Sequence, residues 1–201
     1  PNPLHVASKL RSDAIICCNS ALYALGLMKE EDIKNVFIYS KHPSKIRVGK
    51  TTYKMIKNKQ SFGTIKIEYQ TTYTKLDLII TDFERTLIDC ARTKSLKLEE
   101  LIAILKNPKI NIDMSRIINY LEKYKKPILY NKIGLILDTT KSFTRLQEED
   151  FEKIRKKLSK KIFYAREKEL RLIRPRYKYY GKWNIMIPEN LYYQIAPKTN
   201  I

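Results

Sequence analysis

Glycine is scarce: 5 in 201 residues, at 26, 49, 63, 134 and 181. They form no G-x-x-x-x-G-K phosphate loop and no G-x-G-x-x-G turn, so neither nucleotide-cradling motif is present. No G-x-S-x-G is present, which removes the hydrolase nucleophile elbow. Three cysteines, Cys17, Cys18 and Cys90, are odd in number and lack any C-x-x-C spacing. With only His5 and His42 beside them, no zinc-type ligand set is legible. Reduced, buried thiols in a cytoplasmic protein are the expectation. No apolar run approaches the ~18 residues of a membrane helix. The opening Pro1-Asn2-Pro3-Leu4-His5 lacks the charged and apolar regions of a signal peptide.

Carboxylates are also thin. Forty Lys and Arg face 21 Asp and Glu, a formal charge of +19. From Ile33 to Ile67 there is no acidic residue, against nine basic ones. Such a field favours polyanions, above all DNA or RNA; the alternative is a Lys-rich composition with no partner behind it. No Glu-x-Lys occurs, and the single Asp-x-Lys, Asp32-Ile33-Lys34, lies in a charged connector. A metal-dependent nuclease, which needs carboxylates to hold the ion beside a Lys, is therefore a distant alternative. No cofactor is expected.

What is present reads as an α+β chain in three parts. Residues 4–80 read as a mixed lobe with two short helices and a small sheet. Asn19 or Ser20 is the expected cap of the second helix, and Gly26 its stop. Strands are expected at Val36–Tyr39, 51–58, Thr64–Tyr69 and Leu76–Ile80. Residues 81–160 read as antiparallel helices. Thr81-Asp82-Phe83-Glu84 has the capping-box form, with Thr81 as cap and Glu84 reaching back. Apolar residues recur at helical spacing in 98–105 and in 114–121, the second capped by Asp113. A further apolar helix is expected over 128–138, and another over 147–160 with Phe151, Ile154 and Leu158 inward. Residues 161–188 read as two strands, Ile162–Ala165 and Trp183–Ile187, joined by an Arg-rich connector.

Two clusters carry the functional reading. Asp82, Glu84, Arg85 and Asp89 concentrate charge at a helix start; this is either a local ion pair or an interaction site. From Phe151 to Lys182, 13 Lys and Arg oppose 3 Glu, a net +10, with Tyr164, Tyr177, Tyr179 and Tyr180 interleaved. Arg forks grip phosphates and Tyr rings stack on bases. The nucleic-acid candidates are Lys45, Arg47, Lys156, Lys157, Lys160, Arg171, Arg174, Arg176 and Lys178.

The run Thr81-Asp82-Phe83-Glu84-Arg85-Thr86-Leu87-Ile88-Asp89-Cys90 resembles the D-x-E-R-T-L-x-D-C segment of AbiEi-type antitoxins, of the abortive-infection AbiE toxin–antitoxin systems. Ala7–Leu10, Ser20-Ala21-Leu22, Leu25-Gly26-Leu27, Val36–Ile38 with Lys45-Ile46-Arg47, and Trp183–Pro188 are similar to the family in order, so the likeness spans most of residues 6–188. The resemblance implies a non-enzymatic C-terminal antitoxin domain over 1–201, acting in phage defence. Its functional partner would be an AbiEii-type nucleotidyltransferase toxin, with no stable complex required. Family members usually carry a preceding winged helix that represses their own operon; this chain begins where the C-terminal domain would, and without a Met. The motif residues carried over are Ser20, Asp82, Glu84, Arg85, Thr86 and Asp89, in a structural role or in antitoxicity. A regulator whose 1–201 part serves dimerisation or sensing is the alternative from another class.

Overall fold

Asn2 decides where the first helix begins. Its side-chain oxygen accepts from the amides of Leu4 and His5, and Pro3 opens α1, Pro3–Leu10. This and all that follows comes from a computed structural model, which describes residues 2–29, 34–57, 60, 62–71, 75–165 and 176–195. The fold is α+β. The chain divides into two compact units, Pro1–Ser95 and Leu96–Ile201.

In the first unit α1 is followed by β1, Ile15–Ile16, and α2, Asn19–Ala24. Helix α2 ends in a Schellman motif: Leu27 N–H donates to Leu22, Gly26 N–H to Tyr23, and Gly26 takes φ 72°. The glycine stop is where the sequence puts it. The cap is not. Position 18 is the N-cap, with Cys18 at φ 56°, and both Asn19 and Ser20 are buried inside the helix. Ser20 Oγ accepts instead from the amide of Phe37 at 2.9 Å. A long-range backbone donor has replaced the local one.

Strands β2 (Asn35–Ser40), β3 (Ser44–Val48), β4 (Thr51–Lys57), β5 (Thr64–Gln70) and β6 (Lys75–Thr81) complete the sheet. Among the described residues its order is β3-β4-β2-β1-β6-β5, with β2–β4 and β1–β6 parallel and the other pairs antiparallel. One face buries Ile16, Val36, Ile38, Tyr53, Met55, Leu78 and Ile80 beneath Leu4, Ala7, Ala21 and Tyr23 of the two helices. The alternation of β5 puts Ile65, Ile67 and Tyr69 on one face; Ile67 and Tyr69 pack on that same cluster, while Ile65, near the strand's start, is 39% exposed. Strand β3, which the sequence reading leaves out, is an edge strand. Helix α3, Phe83–Thr93, follows β6 and stays with the sheet, packing against α2.

In the second unit α4 (Leu98–Leu105), α5 (Met114–Tyr124), α6 (Pro127–Thr139), α7 (Lys141–Thr144) and α8 (Glu148–Arg155) come first. Leu98, Leu101, Ile102 and Leu105 are all buried, and Asp113 caps α5 by accepting from Arg116 N–H, as expected. Helix α6 is buried at every position from Leu129 to Leu137, which makes it the axis on which α4, α7 and α8 pack. Its Gly134 lies against the ring of Trp183 so closely that any β-carbon would collide.

The unit ends with β7 (Phe163–Tyr164), β8 (Tyr177–Tyr180), a 3-10 turn at Gly181–Trp183, β9 (Ile185–Pro188) and α9 (Glu189–Ile195). The two expected strands pair with each other, β7 parallel to β9. The Arg-rich connector does not only connect: its end forms β8, antiparallel to β9. Trp183 is in the turn and fully buried, with Asn131 Nδ2 donating to its carbonyl at 2.7 Å.

Candidate functional site

Helix α3 starts at Asp82. Its carboxylate accepts from Arg85 N–H at 2.9 Å, and Asp82 N–H donates to Gly63 at 3.0 Å. The expected Thr81 cap is therefore displaced by one residue. The reason is packing: Thr81 closes β6 and its buried hydroxyl bonds the Thr86 hydroxyl at 2.6 Å instead. An extended Thr81 leaves Asp82 as the first residue free to turn into a helix.

From Glu84 to Ala91 every residue of α3 is buried. The Arg85 side chain has no exposure. Its guanidinium lies 4.9 Å from the centre of the Tyr39 ring and 5.2 Å from that of Phe62, and donates to the Phe62 carbonyl. Its Nε is 3.4 Å from Asp89 Oδ2, one helical turn on. Asp89 Oδ1 accepts from Arg92 Nε at 3.2 Å, and Arg92 Nη2 donates to the Tyr39 hydroxyl at 2.6 Å. Asp82, Arg85, Thr86 and Asp89 thus tie α3 to strands β2 and β6 and to the chain before β5. Ser20, from the same set of motif residues, ties α2 to β2. Cys17, Cys18 and Cys90 are buried free thiols, and burial together with the neighbouring Cys18 pushes the Cys17 thiol well up. Among the described residues no three His, Cys, Asp or Glu side chains form a metal-sized group.

The basic candidates lie elsewhere. Lys45 and Arg47 point from the same side of edge strand β3, both exposed. Lys45 stands directly opposite Lys54 of β4, and Arg47 opposite Thr52. The Gly49-Lys50 turn, with Gly49 at φ 57°, closes this ribbon. Five basic residues and no acidic one occupy 44–57. Like charges across a strand pair cost stability, and the Lys54 ammonium lies 5.2 Å from the centre of the Phe37 ring. On its other side Ile46 and Val48 are 37% and 42% exposed.

In the second unit Lys156, Lys157 and Lys160 follow α8 and are exposed, Lys157 lying 3.7 Å from Glu122. Arg176 is exposed beside β8. Lys178 lies along α9 with its side chain partly exposed: it donates to the Tyr193 hydroxyl, lies 3.6 Å from Glu189, and these contacts raise its pKa. It serves the packing of α9 on β8. Arg171 and Arg174 lie outside the described residues. The structure therefore brings Lys45 and Arg47 together on one ribbon and leaves Lys156, Lys157, Lys160 and Arg176 at the surface of the other unit.

Two features escape the sequence reading. A cleft of about 620 Å³ opens between α4 and α9 in the second unit, lined by Glu99, Ile102, Lys106, Asp138, Phe143 and Tyr180 among others. Asp138 is already engaged there, by Lys182 at 2.8 Å and the Trp183 indole N–H at 3.0 Å. The other is the outward face of the small sheet. Tyr164, Met186 and Tyr179 are register partners across its three strands. Only pairing, which sequence spacing does not encode, lines them up.

Among the described residues no helix is long and apolar enough to cross a membrane. No family model matches the chain, and no curated protein matches it. The fold is similar to that of the crystal structure of the RV2827C protein from Mycobacterium tuberculosis, at 10% identity and a TM-score of 0.53. That likeness covers 92% of this chain and 66% of the mycobacterial one, so the chain spans just under two thirds of that protein's length.

Proposed function

We propose that this chain is an AbiEi-type antitoxin domain that neutralises a nucleotidyltransferase toxin and contacts nucleic acid through its basic surface. The observation that carries the reading is the segment Thr81–Cys90. Its residue types are those that the buried hub of α3 requires: a cap, an arginine between two rings, a hydroxyl on β6, and a carboxylate one turn on. Each is specific in type and spacing, and that explains why such a run would persist as a family signature. The same burial means that these residues support antitoxicity by holding the fold. Contact with partners belongs to exposed groups.

The nucleic-acid half rests on the +10 stretch from Phe151 to Lys182 and on the β3–β4 ribbon with its opposed lysines. The resemblance also implies operon repression when the domain is joined to a winged helix; that role needs the winged helix as well as this chain.

The test is growth rescue. The neighbouring open reading frame, expected to encode the nucleotidyltransferase, is expressed with and without this chain. Restored growth supports the reading; continued toxicity beside soluble chain overturns it and favours the regulator alternative. For the nucleic-acid half, binding is measured against salt. Each phosphate that is no longer neutralised lowers the slope by about one, so Lys45→Ala with Arg47→Ala lowers it by about two and leaves the melting curve unchanged. An unaltered slope puts the nucleic acid away from the ribbon.

A further inference from the structure

The β7-β9-β8 sheet has two unlike faces. Ile185 and Ile187 of β9 are fully buried, and Tyr180 meets Tyr192 of α9 edge to face at 6.1 Å. Lys178 points to the same helix. That face is closed by packing. On the other, Tyr164 of β7 pairs with Met186 of β9, and Met186 with Tyr179 of β8. Direct partners in a sheet project to the same side. Tyr164 and Tyr179 are each 47% exposed, although burying a tyrosine ring is worth far more than leaving it wet. Tyr177, two residues before Tyr179 and so on the same face, sets its ring edge to face against Tyr164 at 5.3 Å. The Tyr179 hydroxyl donates to Asn184 at 2.9 Å, which fixes where that ring stands.

Charge borders these rings. Lys160 and Lys161 precede β7 and are exposed; Arg176, also exposed, lies two residues before Lys178 and so on the side of α9. Glu189, at the start of α9, is engaged by Lys178 on the opposite face, and Glu167 and Glu169 of the connector lie outside the described residues.

The geometry points to a binding site for single-stranded nucleic acid on this sheet, with bases stacked on Tyr164 and Tyr179 and phosphates held by Lys160 and Lys161. Tyr164 and Tyr179 stand on the two outer strands in one row, on either side of Met186 of β9, and offer two flat platforms, while flanking cations follow the backbone. A duplex does not fit this chemistry, because its bases are already stacked on each other. A second copy of the chain does not fit it either, because two faces bordered by lysines repel. The inference deepens the nucleic-acid half of the proposed function and is independent of its antitoxin half.

The test uses the full 201-residue chain. Fluorescein-labelled oligouridylate and oligodeoxythymidylate of about twelve nucleotides, and a duplex of the same length, are titrated by anisotropy. The expected result is preference for the single strands. Tyr164→Ala and Tyr179→Ala should each weaken single-strand binding roughly 5- to 100-fold, and Tyr164→Phe, which keeps the ring, should bind like the parent. Both tyrosines are half exposed, so the alanine variants should keep the emission of the single Trp183, which reports intact packing. Unchanged single-strand binding by both alanine variants overturns the platform. If Lys45→Ala with Arg47→Ala then removes the binding, the nucleic-acid half of the proposed function stands without the platform. No binding to any of the three probes overturns the platform and that half together, and growth rescue still judges the antitoxin half on its own.

Discussion

The charged residues of α3 and those around the small sheet of the second unit are similar in kind and opposite in circumstance. Around α3, Arg85 and Asp89 have no exposed surface, and their partners are other atoms of the same unit. Around the small sheet, Lys160, Lys161 and Arg176 are in water beside half-exposed tyrosines. The first arrangement is closed. A charge removed from water must be matched by its surroundings, so every residue in the hub constrains the others. The second is open, and its exposed cations and ring faces meet the solvent. The recognisable motif and the exposed basic groups are thus different places in this molecule: exact spacing belongs to the buried hub, and loose clustering to the surface.

The largest expected effect breaks the closed side. Asp89→Ala leaves the Arg85 guanidinium buried without its carboxylate and also releases Arg92; the loss should be about 3–5 kcal/mol, read from urea unfolding. A loss below about 1 kcal/mol would mean that the ring faces of Tyr39 and Phe62 alone hold the arginine.

A second substitution sharpens the contrast within the second unit. Gly134→Ala places a β-carbon into the Trp183 ring. It should cost about 1–3 kcal/mol through overpacking, shift Trp183 emission, and lower nucleic-acid binding only as far as it unfolds the chain. Loss of binding at full stability would show that the Trp183 turn and the exposed face are coupled.

The smallest effect concerns a half-buried carboxylate. Asp13 accepts from Lys41 N–H at 2.7 Å and from the Ser40 hydroxyl at 3.0 Å, and these bonds, led by the Lys41 amide, hold its pKa below the usual 3.8. A carboxyl whose folded pKa is depressed adds stability above its unfolded pKa and loses it as pH falls through the folded one. Asp13→Asn should therefore be slightly less stable than the parent at neutral pH, with the gap closing in acid. A gap independent of pH would point to lost geometry and not to charge.

Most element types are legible from local pattern. The helices of the second unit follow a 3.6-residue repeat, β5 alternates, and the Gly26 stop and Asp113 cap stand where residue type puts them. Thr81, Asn19 and Ser20 have good capping chemistry, but Thr81 pairs with Thr86, Ser20 takes the Phe37 amide, and Asn19 is already inside the helix behind Cys18. Strand β3 is short, basic and exposed, so it carries no apolar signal. Strand β8 hides in a run whose Tyr and Lys content reads as a connector.

Residue order alone is enough for the α+β class, for the excess of positive charge and where along the chain it falls, and for the ten residues that form the most specific motif. These are properties of composition and of contacts within one or two helical turns. Three further facts arise only when the chain packs: the motif is buried, Lys178 bonds Tyr193 of α9, and Tyr164 and Tyr179 share a row. Burial and strand register depend on which distant segments pair, and that choice is made by packing the whole chain, not by any window of it.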